Sequence, residues 1–364
     1  MRAIVVGAGI MGLSVAYNLA ARGVQVVVLE RKYPGSGLSG RAIGGVHSQW
    51  DSEHDIRLAK RSRGLLSRLS GELNFNIPFR RDGYLIVATQ EEEFARLKKN
   101  ASLQTSLGAD TIILSSEEIA ARYPFVDTSS ILGGTLSKDD GVIFPFSLMF
   151  GYWSALEEHG GKLLKSTTVK ALQAKDDHVY GVESDRGMQE ADIYVIAAGA
   201  GTREILRSVR YDMSTKLMKH EMVATEPLKF FLKPMIQVNP KGICLNQSLR
   251  GEVICDIPRT GEQVHEDTKS TLEFLQEAAA ELTNLLPQMG KVKMLRPWAG
   301  LVETTSDLRP VCGRLGYDNL WVAFADSGKG IMLSPAIGKI ISEAILTQET
   351  SPDLVPYSPS RLFS

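Results

Sequence analysis

The residues best suited to chemistry come at the start of the chain. GAGIMG sets Gly7, Gly9 and Gly12 in a Gly-x-Gly-x-x-Gly spacing, and Glu30 follows eighteen residues after Gly12. This spacing suits a pyrophosphate. The first glycine permits a tight turn, the second lets backbone approach the phosphates, and the third lets helix and strand pack closely. The free amides that open the helix, around Ile10 and Met11, then face the anion. Glu30 can accept hydrogen bonds from a ribose diol. A second segment, SGRAIGGVHSQW (residues 39–50), holds Arg41, Gly44, Gly45 and one of six histidines, His47. It is too rich in glycine and polar residues for a core strand or a stable helix. A third, DSGKG, is a glycine turn at residues 326–330.

The first motif needs a βαβ unit, and the pattern supplies one. Residues 2–6 read as a buried parallel strand. Residues 10–22 read as a helix with Leu13, Ala16, Tyr17 and Ala20 on one side. Gly23 caps it, and residues 24–30 form a second buried strand. Dinucleotide binding follows, but the fingerprint alone does not separate NAD(P) from FAD. Further helices are expected over 55–73, 91–107, 115–123 and 145–159, the third capped by Ser115 or Ser116 before Glu117 and Glu118 and the last opening on Pro145. Strands are expected over 82–89, 132–140, 162–165, 167–173, 178–183 and 191–198, with a helix from Thr202. Residues 216–297 differ. Strand-like runs at 222–228, 242–248 and 251–259 and a charged helix over 266–286 read as an antiparallel, α+β-type stretch. The end returns to the first style, with a strand over 320–325, the glycine turn, a helix over 335–346 and a loose surface tail from Thr350.

Composition bounds the rest. The chain has 364 residues, 43% hydrophobic and 23% charged, with a formal net charge of −1. That is an ordinary globular composition without the basic excess of a nucleic-acid binder. Cys244, Cys255 and Cys312 form neither a disulfide framework nor a metal pattern. No metal is expected, and a reducing, cytoplasmic location fits. Residues 3–21 carry no charge, yet glycines and the polar Ser14, Tyr17 and Asn18 interrupt them. They therefore read as the nucleotide-binding helix and not as a signal peptide or a transmembrane segment.

Four blocks resemble the D-amino-acid oxidase superfamily of FAD-dependent amine oxidoreductases, with its glycine oxidases, sarcosine oxidases and dehydrogenases, and dye-linked proline dehydrogenases. They are GAGIMG with LER at 29–31, residues 39–50, YVIAAGAG at 194–201, and WAGLVETTSDLRPVCGRL with LWVAFADSGKGIMLSPAIGK. KHEMVATEPL and WAGLVE are similar to the proline and sarcosine dehydrogenase branch. The resemblance implies an α/β fold: a Rossmann-type FAD-binding domain (1–80, 145–215 and 298–348) interleaved with an α+β substrate domain built on an antiparallel sheet (81–144 and 216–297), then a tail (349–364).

It also implies non-covalent FAD. Gly7, Gly9, Gly12 and Glu30 would hold its ADP half, Arg31 would flank the adenosine, and Val169 would meet adenine through backbone. Ser39, Arg41, Gly44 and Gly45 would line the path toward the flavin, with Ala198 and Gly199 at the flavin-side turn. Gly328, Lys329, Gly330, Ile331 and Met332 would present amides to the isoalloxazine edge, where reduced flavin carries negative charge.

The implied reaction removes hydride from the carbon next to an amine nitrogen to flavin N5, giving an imine. The substrate would be an amino or imino acid such as proline, sarcosine or a similar secondary amine. Three of the family's usual carboxylate ligands are replaced here, by His47, Val302 and Met332. His47 could grip the acid if protonated, or act as a neutral donor. Lys329 stands where relatives carry a histidine. Tyr84 and Trp298 could wall a pocket. The absence of an oxygen-activating lysine in GEVICDIPR leans toward a dehydrogenase that passes electrons to a quinone, dye or protein. An oxidase releasing hydrogen peroxide and a non-catalytic FAD-binding subunit of a larger complex stay open. So do like or unlike partner subunits and a peripheral position at the inner membrane face.

Overall fold

The computed structural model describes residues 1–259, 268–324, 326–349 and 351–362. Arg2–Val6 is the centre of a six-stranded sheet ordered Val311–Arg314, Leu320–Phe324, Ile193–Ile196, Arg2–Val6, Gln25–Leu29, Lys162–Leu164. All its neighbours are parallel except the Val311–Arg314/Leu320–Phe324 hairpin. The near-continuous Val and Ile of these strands match burial on both faces. Val169–Lys175, His178–Ser184 and Gly187–Gln189 form an antiparallel meander beside it.

The helix Ile10–Ala20 was expected to show one apolar side, but it is buried almost all round. It lies between the sheet and the helices Pro145–Glu158 and Gly330–Thr347, and only a small residue fits where it crosses the latter. A Cβ at Gly338 would press into Ser14. The helix Gly330–Thr347 is long and apolar enough to cross a membrane, yet most of it is buried inside the protein. It also starts earlier than residue 335. Pro335 sits within it, and side chains satisfy the carbonyls around it: Ser334 Oγ donates to Ile331 O at 3.4 Å and Ser62 Oγ to Met332 O at 2.5 Å.

The second large sheet has eight strands ordered Met294–Thr304, Lys216–Pro227, Glu252–Arg259, Ile243–Gln247, Met235–Asn239, Tyr84–Ala88, Gly133–Ser137, Thr111–Ser115. One pair, Met235–Asn239 with Tyr84–Ala88, is parallel, where two chain segments far apart in sequence meet. The other pairs are antiparallel. Val223, Leu245, Cys255 and Ile257 face one way, into a core with Phe274 and Leu282 of the helix Leu272–Leu285. The start of the helix expected over 266–286 falls partly outside the described residues, as do Ala325 and Thr350. A small sheet, Gly45–Val46, Gly141–Ile143 and Phe79–Arg80, joins the two halves.

Local signals hold where they are strong. Ser115 and Glu118 form a reciprocal capping box, and Pro145 occupies the first turn of its helix. The tail departs from the expected loose segment. Leu354 and Tyr357 are buried, Tyr357 donates to Asp55 Oδ1 at 2.9 Å, and Arg361 pairs with Asp307 at 2.9 Å.

Candidate functional site

The glycine loop has the shape a pyrophosphate needs. Gly7 has φ +104°, and a Cβ there would strike the Ala197 carbonyl. At Gly12 a Cβ would run into the carbonyl oxygen of Gly7. A Cβ at Gly9 would meet only Ser39 Oγ, at 3.3 Å, so the space in front of the helix start is kept free. Ser39 Oγ accepts from the Ile10 amide at 3.0 Å, which brings the second glycine-rich segment to the first. Glu30 is buried and accepts from the Ala8 amide at 2.9 Å and the Lys32 amide at 2.9 Å. Thr167 N donates to Glu30 O at 2.9 Å, which sets Val169 on the same side of the sheet end. Arg31 is exposed beside it.

Arg41 donates to the carbonyls of Ser36 and Gly37, the latter at 2.7 Å, and its own carbonyl accepts from Trp298 Nε1 at 3.0 Å. The glycine of WAGL is required here, since a Cβ at Gly300 would stand 2.9 Å from Leu38 and 3.4 Å from Arg41 Cδ. These empty positions in front of the helix start fit FAD.

Beyond the loop, ring contacts, hydrogen bonds and strand register link a series of side chains that returns on itself. Lys329 Nζ lies 4.2 Å above the Trp50 ring and donates to Leu308 O at 2.6 Å. Trp50 and His47 stack with centroids 4.3 Å apart, and His47 and Tyr84 with centroids 4.5 Å apart. Tyr84 donates to Gln237 Oε1 at 2.9 Å and lies 3.8 Å from Cys244 Sγ. Cys244 pairs in register with Asp256, whose carboxylate is 3.0 Å from His220 Nδ1. His220 is in register with Gly300 and its strand neighbour Met218 with Val302. Val302 then faces the Gly328 turn, 3.8 Å from where a Cβ there would sit, which returns to Lys329.

The charges in this circuit are set by burial. His47 is 7% exposed and its Nδ1 has no partner; burial, with Lys329 nearby, pushes the imidazole down to about 3. It is neutral at pH 7, so of the two states expected only the uncharged donor is populated. Burial lowers the Lys329 ammonium, and Asp55 and Asp51 partly restore it. Burial holds the Tyr84 hydroxyl well above its usual value.

The expected residues His47, Tyr84 and Lys329 thus meet. Trp298 contributes through the loop it fastens. Met332 instead packs in the core of the six-stranded half, with Ile331 beside it. Ala198 and Gly199 form the turn after Ile193–Ile196. Gly45 lies between Met235 and Tyr84, where a Cβ would stand 2.7 Å from Met235 Sδ, and Gly44 takes φ +86°.

His220 lies in KHEMVATEPL and Asp256 in GEVICDIPR, but neither stretch marks these two residues for chemistry. Their only signal is period-two alternation, which puts both on the face opposite Val223 and Cys255. Glu303, the last residue of WAGLVE, is a buried acid. Burial pushes its carboxyl up to about 7, and it accepts from Thr215 Oγ1 at 2.7 Å.

Comparison with known proteins agrees with this geometry. L-proline dehydrogenase from P. horikoshii superposes with a TM-score of 0.92 at 30% identity, over 99% of this chain and 97% of that one. Sarcosine oxidase subunit beta of Rhodobacter capsulatus is 24% identical over 94% of this chain and 84% of its own length. Glycine oxidase of Geobacillus kaustophilus is 27% identical, over 98% and 96%. The family model described as FAD dependent oxidoreductase (DAO) matches residues 2–344. With a glycine loop shaped for a dinucleotide, the chain belongs to this family and is an FAD-dependent amino-acid oxidoreductase.

Proposed function

We propose that this protein is a dehydrogenase of a secondary amino acid such as proline or sarcosine, and that it returns its electrons to an acceptor other than oxygen. The observation that carries the reading is Lys329, an ammonium set over Trp50 at the rim of an otherwise uncharged aromatic wall of Trp50, His47 and Tyr84. An anionic carboxylate pairs with that cation, while a ring or N-methyl group fills the aromatic side. FAD, when bound, supplies the two-electron acceptor for hydride from the carbon next to nitrogen. The chain's own residues orient the amine and keep water out. The likeness to a proline dehydrogenase and to a sarcosine oxidase subunit supports a secondary amine, and the likeness to a subunit of a larger enzyme supports a partner chain for the electrons.

The test is anaerobic mixing of the FAD-loaded protein with D- and L-proline, hydroxyproline, sarcosine and glycine. Flavin absorbance should bleach with a secondary amino acid, and colour should return quickly with a dye and slowly with air. Rapid peroxide release would make it an oxidase. No bleaching with any amine would make it a non-catalytic subunit.

Lys329→Met is expected to raise KM for the amino acid about thirtyfold, since a charge-assisted hydrogen bond contributes roughly 2 kcal/mol. An analogue lacking the carboxylate should lose little. An equal loss for both would remove Lys329 from carboxylate binding.

A further inference from the structure

We propose that His220, held by Asp256, is the group that takes the proton from the substrate's ammonium before oxidation. The inference rests on the amino-acid reading above. An amino acid at neutral pH is a zwitterion, and loss of hydride from the carbon next to nitrogen needs the nitrogen lone pair. One N–H bond must break first, with its electron pair left on nitrogen and its proton delivered to a base. The balance is one neutral imidazole in and one imidazolium out.

His47 and His220 both lie on the linked series of side chains described above. His47 is pressed between two aromatic rings with no carboxylate beside it, and its imidazole does not accept a proton near neutrality. His220 is arranged in the opposite way. Its Nδ1 lies 3.0 and 3.2 Å from the two Asp256 oxygens. That contact assigns the proton to Nδ1 and leaves Nε2 as the acceptor. The same carboxylate then stabilises the imidazolium that forms.

The sheet aims the pair correctly. Val223, Cys255 and Ile257 of the same two strands fill the core on one face. His220 and Asp256 lie on the other, in register with Gly300 and Met222 and next to Val302, which faces the flavin-side turn. The side chains keep 22% and 15% exposure, enough for a ligand to reach them.

The charged and titratable groups around His220 are few. Asp256 and Cys244 come from the adjoining strands, and Arg41 comes from the loop in front of Gly300. Lys219, Glu221 and Arg259 pair with one another on the opposite face. Burial lowers the imidazole, Asp256 raises it, and the net shift is upward. The other exposed His–Asp pair, His178 with Asp318, lies on the meander beside the six-stranded sheet.

The test uses the FAD-loaded protein in anaerobic stopped flow. His220→Gln should slow flavin reduction by proline by about 10²–10⁴-fold near pH 7, with FAD content and Tm unchanged. The deficit should shrink as pH rises toward the amine's own pKa. With thiazolidine-4-carboxylate, whose ring nitrogen is far less basic and already carries its lone pair, the loss should be far smaller. Asp256→Asn removes the charge that raises His220, so the acid limb of kcat/KM should move to lower pH. Equal loss for both substrates, or an acid limb that stays in place, would overturn the assignment of His220 and leave the amino-acid reading standing. A wild-type protein that no amine reduces would overturn both.

Discussion

Gly12→Val yields protein without bound FAD and with a lowered Tm. Any Cβ at residue 12 points into the carbonyl oxygen of Gly7, which is backbone and cannot rotate away. The helix Ile10–Ala20 must then lift from the strand Arg2–Val6, and its opening amides leave the phosphates. Overpacking of this kind costs about 1–3 kcal/mol, and a valine adds two further methyl groups. Gly9→Ala separates cofactor from fold. Its Cβ meets only Ser39 Oγ, at 3.3 Å, so Tm should hold while the methyl occupies space that the pyrophosphate needs. The flavin-to-protein absorbance ratio of the purified variants, with Tm of the stripped forms, decides it. A fully flavinated Gly12→Val would refute the role given to this glycine.

Asp140→Ala is the second substitution with a large effect. Asp140 is fully buried and accepts from Arg63 Nη1 at 2.6 Å and from the Ser48 amide at 2.9 Å. Removing one partner of a buried pair costs about 3–5 kcal/mol, because the other charge is left behind. Arg63 keeps Asp110 at 3.6 Å and Asp139 at 3.8 Å, so the lower end applies. For a chain of 364 residues that corresponds to a fall in Tm of about 4 °C. Little salt dependence is expected, since the pair is shielded from counterions. Ser48 follows His47, so the aromatic stack loosens as well and KM for the amino acid should rise. Asp140→Asn keeps the shape and part of the hydrogen bonding, and should fall between the two. A Tm within about 1 °C of wild type for Asp140→Ala, less than roughly 1 kcal/mol, would show that the pair contributes nothing net.

What could be read from the chain was local. The glycine spacing, the Ser115–Glu118 cap and Pro145 each act within a turn or two, so their residue types suffice. Pro335 misleads because its compensation comes from Ser62 on another helix, remote in sequence. The helix Ile10–Ala20 is misread as one-sided because a helix buried against three neighbours is apolar almost all round, and periodicity then carries little information. Lys329 is set apart in the sequence only by its place in the glycine turn, and its contact with Trp50 comes from the fold. His220 and Asp256 are thirty-six residues apart, and only strand register brings them together.

The cofactor loop and its last neighbours are also far apart in time of synthesis. Ser14 donates to Ser334 O across a separation of 320 residues, and Ile193–Ile196 pairs directly with Arg2–Val6. At roughly 5–20 residues per second, the helix Ile10–Ala20 leaves the ribosome well before the helix that covers it. For that interval it is a bare apolar segment, a client for chaperones. FAD can be captured only near the end of translation or after it. Cellular supply of the flavin should therefore govern how much of the chain survives, and not only how much of it is active.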